Sequence, residues 1–157
     1  MLTIVSMDVV ELIMRDHREV DRIFDELRND PGSRPVLVPV LEMLLTAHSR
    51  AEEAAVYPAA AKEAGEVGEV AHSHREHLLA DQLVALLADT DPEAAEFDDV
   101  LDELVDTVTH HVNEEESKLL PGMKAHLGED RRAELGRAFL DSRSEHLGLP
   151  VRENAES

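Results

Sequence analysis

One polar phrase sits where a helix should carry core leucines, and the chain writes it twice. His-x3-Glu-x5-Pro occurs as His48, Glu52 and Pro58 (HSRAEEAAVYP) and again as His111, Glu115 and Pro121 (HVNEEESKLLP). A further histidine with an aspartate four residues on precedes each copy: His17 with Asp21, and His77 with Asp81. Helix positions four apart lie about 40° apart around the axis and roughly 6 Å along it. Each His–Glu pair therefore faces one way, one turn apart. Packing does not explain polar side chains repeated at this spacing. A neutral imidazole offers one nitrogen ligand, and a carboxylate can bridge two cations through its two oxygens. The repeat makes the chain a metal-site candidate.

Apolar spacing is helical rather than alternating throughout, and it predicts four long amphipathic helices. The first covers about residues 8–27, with Val10, Ile13, His17, Val20, Phe24 and Leu27 on its seam, and stops at Asn29-Asp30-Pro31-Gly32. The second covers about residues 34–61, with Leu41, Leu45, His48, Glu52 and Val56 inward; Pro35 and Pro39 allow a start after residue 39. The third covers about residues 67–87, with Val70, His74, His77, Asp81, Val84 and Leu87 on one face. Asp91 reads as the N-cap of the fourth, with Pro92 in first position, and Leu101, Leu104, Val108, His111 and Glu115 share a face up to about Leu120. A shorter helix over residues 130–142 packs on the outside, and residues 148–157 read as a loose polar tail. Short connections make neighbouring helices antiparallel. The expected fold is all-α: one domain over residues 1–147, an up-down-up-down four-helix bundle with a short additional C-terminal helix.

The repeat divides this bundle into halves, since His17 to His77 is 60 residues and His48 to His111 is 63. His17, His48, Glu52, His77, His111 and Glu115 all take the places of core leucines. Burying two carboxylates in an apolar bundle costs several kcal/mol each unless cations compensate. Without cysteine, the chain has no disulfides, thiolate zinc sites or iron–sulfur clusters. Nitrogen and oxygen ligands suit non-haem iron, manganese or zinc.

The second copy offers two registers, because His110 with Glu114 repeats the spacing of His111 with Glu115. His111 follows Leu104 by seven residues and Val108 by three; His110 follows Glu103 by seven, on the polar face. The seam selects His111 and Glu115. His74 lies three residues before His77 on the same face, where the first half has Met14. As a ligand it gives one cation three histidines and leaves the other an open position; otherwise it faces solvent or the surroundings of the site. Asp21 and Asp81 are expected to hydrogen-bond ligand imidazoles or to meet an arginine. Tyr57, nine residues after His48, is expected off the ligand face, and His72, His126 and His146 at the surface.

The net charge of −20, from 35 acids and 15 bases, repels nucleic acid and anionic membranes and attracts cations without choosing among them. The opening MLTIVSMDVVELIM carries Asp8 and Glu11 with no basic start, a poor signal peptide. No run of 18 apolar residues exists. The expectation is a cytoplasmic protein with no nucleic-acid or membrane partner.

Two motifs tempt and fail. His72-Ser73-His74-Arg75-Glu76-His77 is similar to the HxHxDH zinc signature of metallo-β-lactamase-like hydrolases, but here it lies within a helix rather than at a strand-to-helix turn. Glu69 with His72 has the Glu-x-x-His spacing of ferritin-like sites without a matching partner.

Taken together, DHREVDRIF at His17, HSRAEEAAVYP at His48 and Glu52, HREHLL at His77 and HHVNEEESKLLP at His111 and Glu115 resemble the hemerythrin-like, HHE cation-binding family in its bacterial form, over about residues 8–125. The resemblance implies a non-haem diiron centre, two iron ions bridged by two carboxylates and an oxo or hydroxo group. By position it implies His17, His48, Glu52, His77, His111 and Glu115 as ligands, with His74 the candidate for an additional histidine. Oxygen-carrying hemerythrins differ on the third helix, where their histidines are four apart, and in the last carboxylate, an aspartate five after its histidine. The implied function is binding or processing of a small oxygen-derived ligand: dioxygen, peroxide or nitric oxide, with catalase-like peroxide decomposition as one form. The alternatives are a sensor or store for iron or oxygen, and a mononuclear zinc or purely structural bundle. The sequence names no redox partner.

Overall fold

The computed structural model describes residues 6–148, and they are helical without a strand among them. Helix α1 spans Val9–Asn29; the Asp8 carboxylate accepts from the Val10 N–H at its start. A single 3-10 turn, Pro31–Ser33, leads into α2, Arg34–Ala51. Pro39 lies inside α2, so the helix does not wait until after it. The missing N–H at Pro39 leaves a gap in the ladder, and the buried Leu41, Leu44 and Leu45 hold the helix beyond it.

Both copies of the repeat depart from straight helix in the same way. Glu52–Val56 forms a π turn, in which the Tyr57 N–H bonds to the Glu52 carbonyl five residues back. Helix α3, Tyr57–Glu63, then resumes with Pro58 in its first turn. After α4, Val67–Ala88, and α5, Ala95–Glu114, the second π turn spans Glu115–Leu119, and the Leu120 N–H reaches the Glu115 carbonyl. Helix α6, Leu120–His126, follows with Pro121 in its first turn. A proline withholds the N–H that continues an α ladder, and each wide turn comes just before one. The expected uninterrupted helices through Ala61 and Leu120 are thus each broken by a single wide turn.

Two further expectations change. Asp91 accepts from the Glu93 N–H and makes a turn, and α5 begins only at Ala95. The last helix, α7, spans Glu129–His146 and is longer than expected. It packs along α1 and α2 rather than merely outside them, with Phe139 fully buried. At Gly136 an added Cβ would lie 1.7 Å from the Met7 carbonyl oxygen, so only glycine lets the N-terminal segment cross α7 here. The expected tail falls, Gly148 apart, outside the described residues.

The core forms two apolar clusters. One takes Val9–Ile13 of α1, Tyr57–Ala64 around α3, Val70 of α4 and Leu119–Leu127 around α6. The other takes Val20–Leu27 of α1, Val38–Leu45 of α2, Leu83–Leu87 of α4 and Phe97–Val108 of α5. Helices α1, α2 and α4 contribute to both clusters, and the buried histidines and glutamates lie where the two meet. No helix of the described residues is long and apolar enough to cross a membrane.

Candidate metal centre

The junction of the two clusters brings together His17 from α1, His48 and Glu52 from α2 and its π turn, His77 from α4, and His111 and Glu115 from α5 and its π turn. All six are buried. Glu52 Oε1 lies 3.1 Å from His48 Nε2 and 3.3 Å from His77 Nε2. Glu115 Oε1 lies 3.2 Å from His17 Nε2, and its Oε2 3.2 Å from His111 Nε2. Two compact groups result: His17, His48 and Glu115, and Glu52, His77 and His111. Each carboxylate reaches a histidine of both groups.

Every imidazole turns Nε2 inward and holds Nδ1 against an outer carboxylate. His48 Nδ1 meets Asp16 at 2.8 Å, His77 meets Glu53 at 2.6 Å, His111 meets Glu76 at 3.0 Å and His17 meets Glu116 at 2.7 Å. Each acid is adjacent in sequence to an inward residue of its own helix but serves the next helix around. The order runs from α1 to α2, α4, α5 and back to α1. Such partners fix ring orientation and raise ligand basicity. Asp16 is itself held by two Arg143 nitrogens of α7, each at 2.9 Å. Arg50 holds Glu53 and Asp81. Of the two aspartates expected to meet an imidazole or an arginine, Asp81 meets an arginine and Asp21 is exposed. The acid doublets Asp16-His17, Glu52-Glu53, Glu76-His77 and Glu115-Glu116 were the available signal for the true partners.

Five buried atoms at the centre have no hydrogen-bond partner: His17 Nε2, His48 Nε2, both Glu52 oxygens and Glu115 Oε1. Buried polar atoms are rarely left unsatisfied. Five converging at one spot, all nitrogen or carboxylate oxygen, fit divalent cations of the iron, manganese or zinc type.

The charges at the centre run the same way. Burial would push His48 down, but the Glu52 charge and the Asp16 carboxylate that accepts from its Nδ1 hold it at about 10. Burial opposes protonation of His111 too, and Glu115 and Glu76 raise it well above its usual value. Glu115, despite its burial, is held well below the carboxylate range by His111 and His17. Protons thus occupy the inward imidazoles where cations fit, and metal binding displaces them.

Tyr57 departs from expectation. Its hydroxyl donates to Glu115 Oε2 at 2.7 Å and lies 3.2 Å from His77 Nε2. The π turn inserts one residue before it, so Tyr57 sits roughly 80° from His48 rather than on the opposite face. The second copy has Leu120 at this place, so the tyrosine makes the site asymmetric. Burial, then the charges of Glu52 and Glu115, push the phenol well above its usual value, so it stays protonated. His74 joins neither group: it is exposed, and its ring meets Tyr57 edge-on at 5.4 Å. His110 is also exposed, at 62%, while His111 is inside.

The family model of the hemerythrin HHE cation-binding domain matches residues 8–122. The chain belongs to this family. Among curated proteins, this hemerythrin domain is 30% identical over 141 residues to a DNA nickase of Nostoc sp. strain PCC 7120, covering 88% of this chain and 40% of that one. It is 28% identical over 135 residues to an uncharacterised hemerythrin-like protein of Schizosaccharomyces pombe, covering 83% and 66%. The chain therefore matches less than two thirds of either relative. No solved structure matches it.

Proposed function

We propose that the chain is a non-haem diiron protein that binds or processes a small oxygen-derived ligand: dioxygen, peroxide or nitric oxide. His17, His48, Glu52, His77, His111 and Glu115 would hold the irons in this reading, Glu52 and Glu115 each reaching histidines of both groups. The convergence of unpartnered nitrogen and carboxylate atoms carries it. The contribution of α1, α2 and α4 to both clusters supports an up-down-up-down four-helix bundle around the centre. His74 stays outside the ligand set.

Two irons held together supply two-electron redox chemistry to a bound small molecule. The chain's own residues prepare the place. Asp16, Glu53, Glu76 and Glu116 hold the Nδ1 protons and aim the Nε2 lone pairs inward. Tyr57 keeps its proton and donates a hydrogen bond to Glu115. On the Val20 side, a cavity of about 30 Å³ lies against the four histidines, walled by Val20, Leu45, Ala80, Val108 and Val112. A water needs roughly 10–15 Å³ on the same measure, so this space suits a molecule of two heavy atoms. Its apolar wall favours an uncharged one. The net charge of −20 repels phosphate, so nucleic acid has no place in the reading. The protein works in the cytoplasm.

Metal analysis with an ultraviolet–visible spectrum before and after peroxide or oxygen tests this. Two irons per chain and a changed spectrum are expected; one zinc, or no metal, overturns the reading. Rapid repeated oxygen release from peroxide marks a catalase-like enzyme, and a single slow spectral change marks a binding protein.

A further inference from the structure

A third group of metal-capable residues lies outside the bundle. His72 and Glu76 sit one turn apart on α4, and His110 faces them from α5. His72 Nε2 lies 3.4 Å from Glu76 Oε1, and His110 Nε2 lies 3.6 Å from Glu76 Oε2. Their three ligand atoms all fall within 4.8 Å of one another. These separations are long for hydrogen bonds, which peak near 2.9 Å. They match the edge of a tetrahedron whose centre is bonded at about 2.0–2.2 Å, where neighbouring ligands stand roughly 3.3–3.6 Å apart. The two imidazoles stand nearly perpendicular at 6.2 Å between centroids, so each presents an edge to the shared space.

The chemistry of this trio selects its ligand. Two imidazoles with one carboxylate suit zinc-like first-row divalent ions better than calcium or magnesium, which prefer oxygen. Asp106, one turn before His110, lines the adjoining surface groove with Glu76 and His110. Acid crowding of this kind draws cations in.

We infer that His72, Glu76 and His110 form a second, surface site for a zinc-class divalent cation, separate from the buried centre. Glu76 belongs to both sites, since its Oε1 also accepts from His111 Nδ1 at 3.0 Å. The test must therefore leave Glu76 intact. The full chain, carrying the metal it is isolated with, is dialysed against micromolar Zn²⁺ and its zinc and iron are counted. The wild type should take up one zinc more than the double variant His72→Ala/His110→Ala, with equal iron in both. His126→Ala, which removes an exposed histidine elsewhere, should bind zinc as the wild type does. Co²⁺ should give the wild type alone a visible absorption band beyond that of the double variant. Equal zinc in the wild type and a folded double variant overturns the inference. Zinc uptake matched in both proteins by an equal loss of iron overturns it as well.

Discussion

Tyr57 and Glu115 meet at 2.7 Å, the residue that follows one wide turn against the first residue of the other. The two copies of the repeat are thereby joined by a hydrogen bond that neither could make on a straight helix. Tyr57→Phe should remove it and keep the ring. Hydrogen bonds to charged groups contribute about 1.5–3 kcal/mol, and a metal-free protein unfolded in urea should lose stability of that order. Iron content should hold while the visible spectrum shifts. An unchanged spectrum and unchanged stability would show that the phenol is idle.

Removing Glu52 or Glu115 should cost far more metal than removing a surface histidine. Glu52→Ala or Glu115→Ala is expected to lose much of the iron, counted per chain after desalting. His110→Ala should retain it. Iron lost from His110→Ala but kept in His111→Ala would contradict the ligand assignment.

Asp16 acts on the centre through His48 Nδ1, and Arg143 acts through Asp16. Asp16→Ala should weaken metal binding by about 10–100-fold, the usual effect of losing such a partner. Arg143→Ala should weaken it less, because the Asp16–His48 contact survives. Competition with a chelator of known affinity ranks the two, and the reverse order would refute the chain of contacts.

Acidity should separate the metal-free and metal-loaded proteins. His48 is raised from 6.5 to about 10, so its contribution is complete below pH 6.5 and lost as pH climbs through about 10. Glu53, Glu76 and Glu116 are lowered from 4.5, so theirs is complete above that value and lost as pH falls through their lowered values. The metal-free protein should be most stable between about pH 4.5 and 6.5 and weaken steadily above, read as the urea midpoint at each pH. Metal binds the deprotonated imidazoles, so the loaded protein should not weaken over the alkaline range. Parallel curves for the two forms would argue that these histidines do not exchange protons for metal.

Gly136→Ala places a methyl group on the Met7 carbonyl. The clash is with backbone, so the segment or the helix must shift, at a cost of about 1–3 kcal/mol typical of overpacking. A melting temperature equal to that of the wild type would mean that residues around Met7 do not hold this crossing.

Much of the arrangement is a matter of period and could be read from the chain. The seam through Leu104 and Val108 puts His111 inside and His110 outside, since one residue on a helix is a rotation of about 100°. The repeat predicted which helices carry like residues, and the apolar spacing excluded strands. Helix ends were less legible. Asp91 has the chemistry of a cap but makes a separate turn, and α7 extends to His146 because Phe139 and Arg143 find partners on other helices.

What the sequence determined by itself was therefore local: helical period, the inward face, and the pairing of His48 with Glu52 and His111 with Glu115. Tertiary structure decided what depends on a neighbour. It set the ring of carboxylates, because Asp16, Glu53, Glu76 and Glu116 each serve a different helix from their own. It also brought Tyr57 in and left His74 out. One wide turn before a proline shifts every later side chain by a residue, and an angle counted along an ideal helix carries no record of that shift.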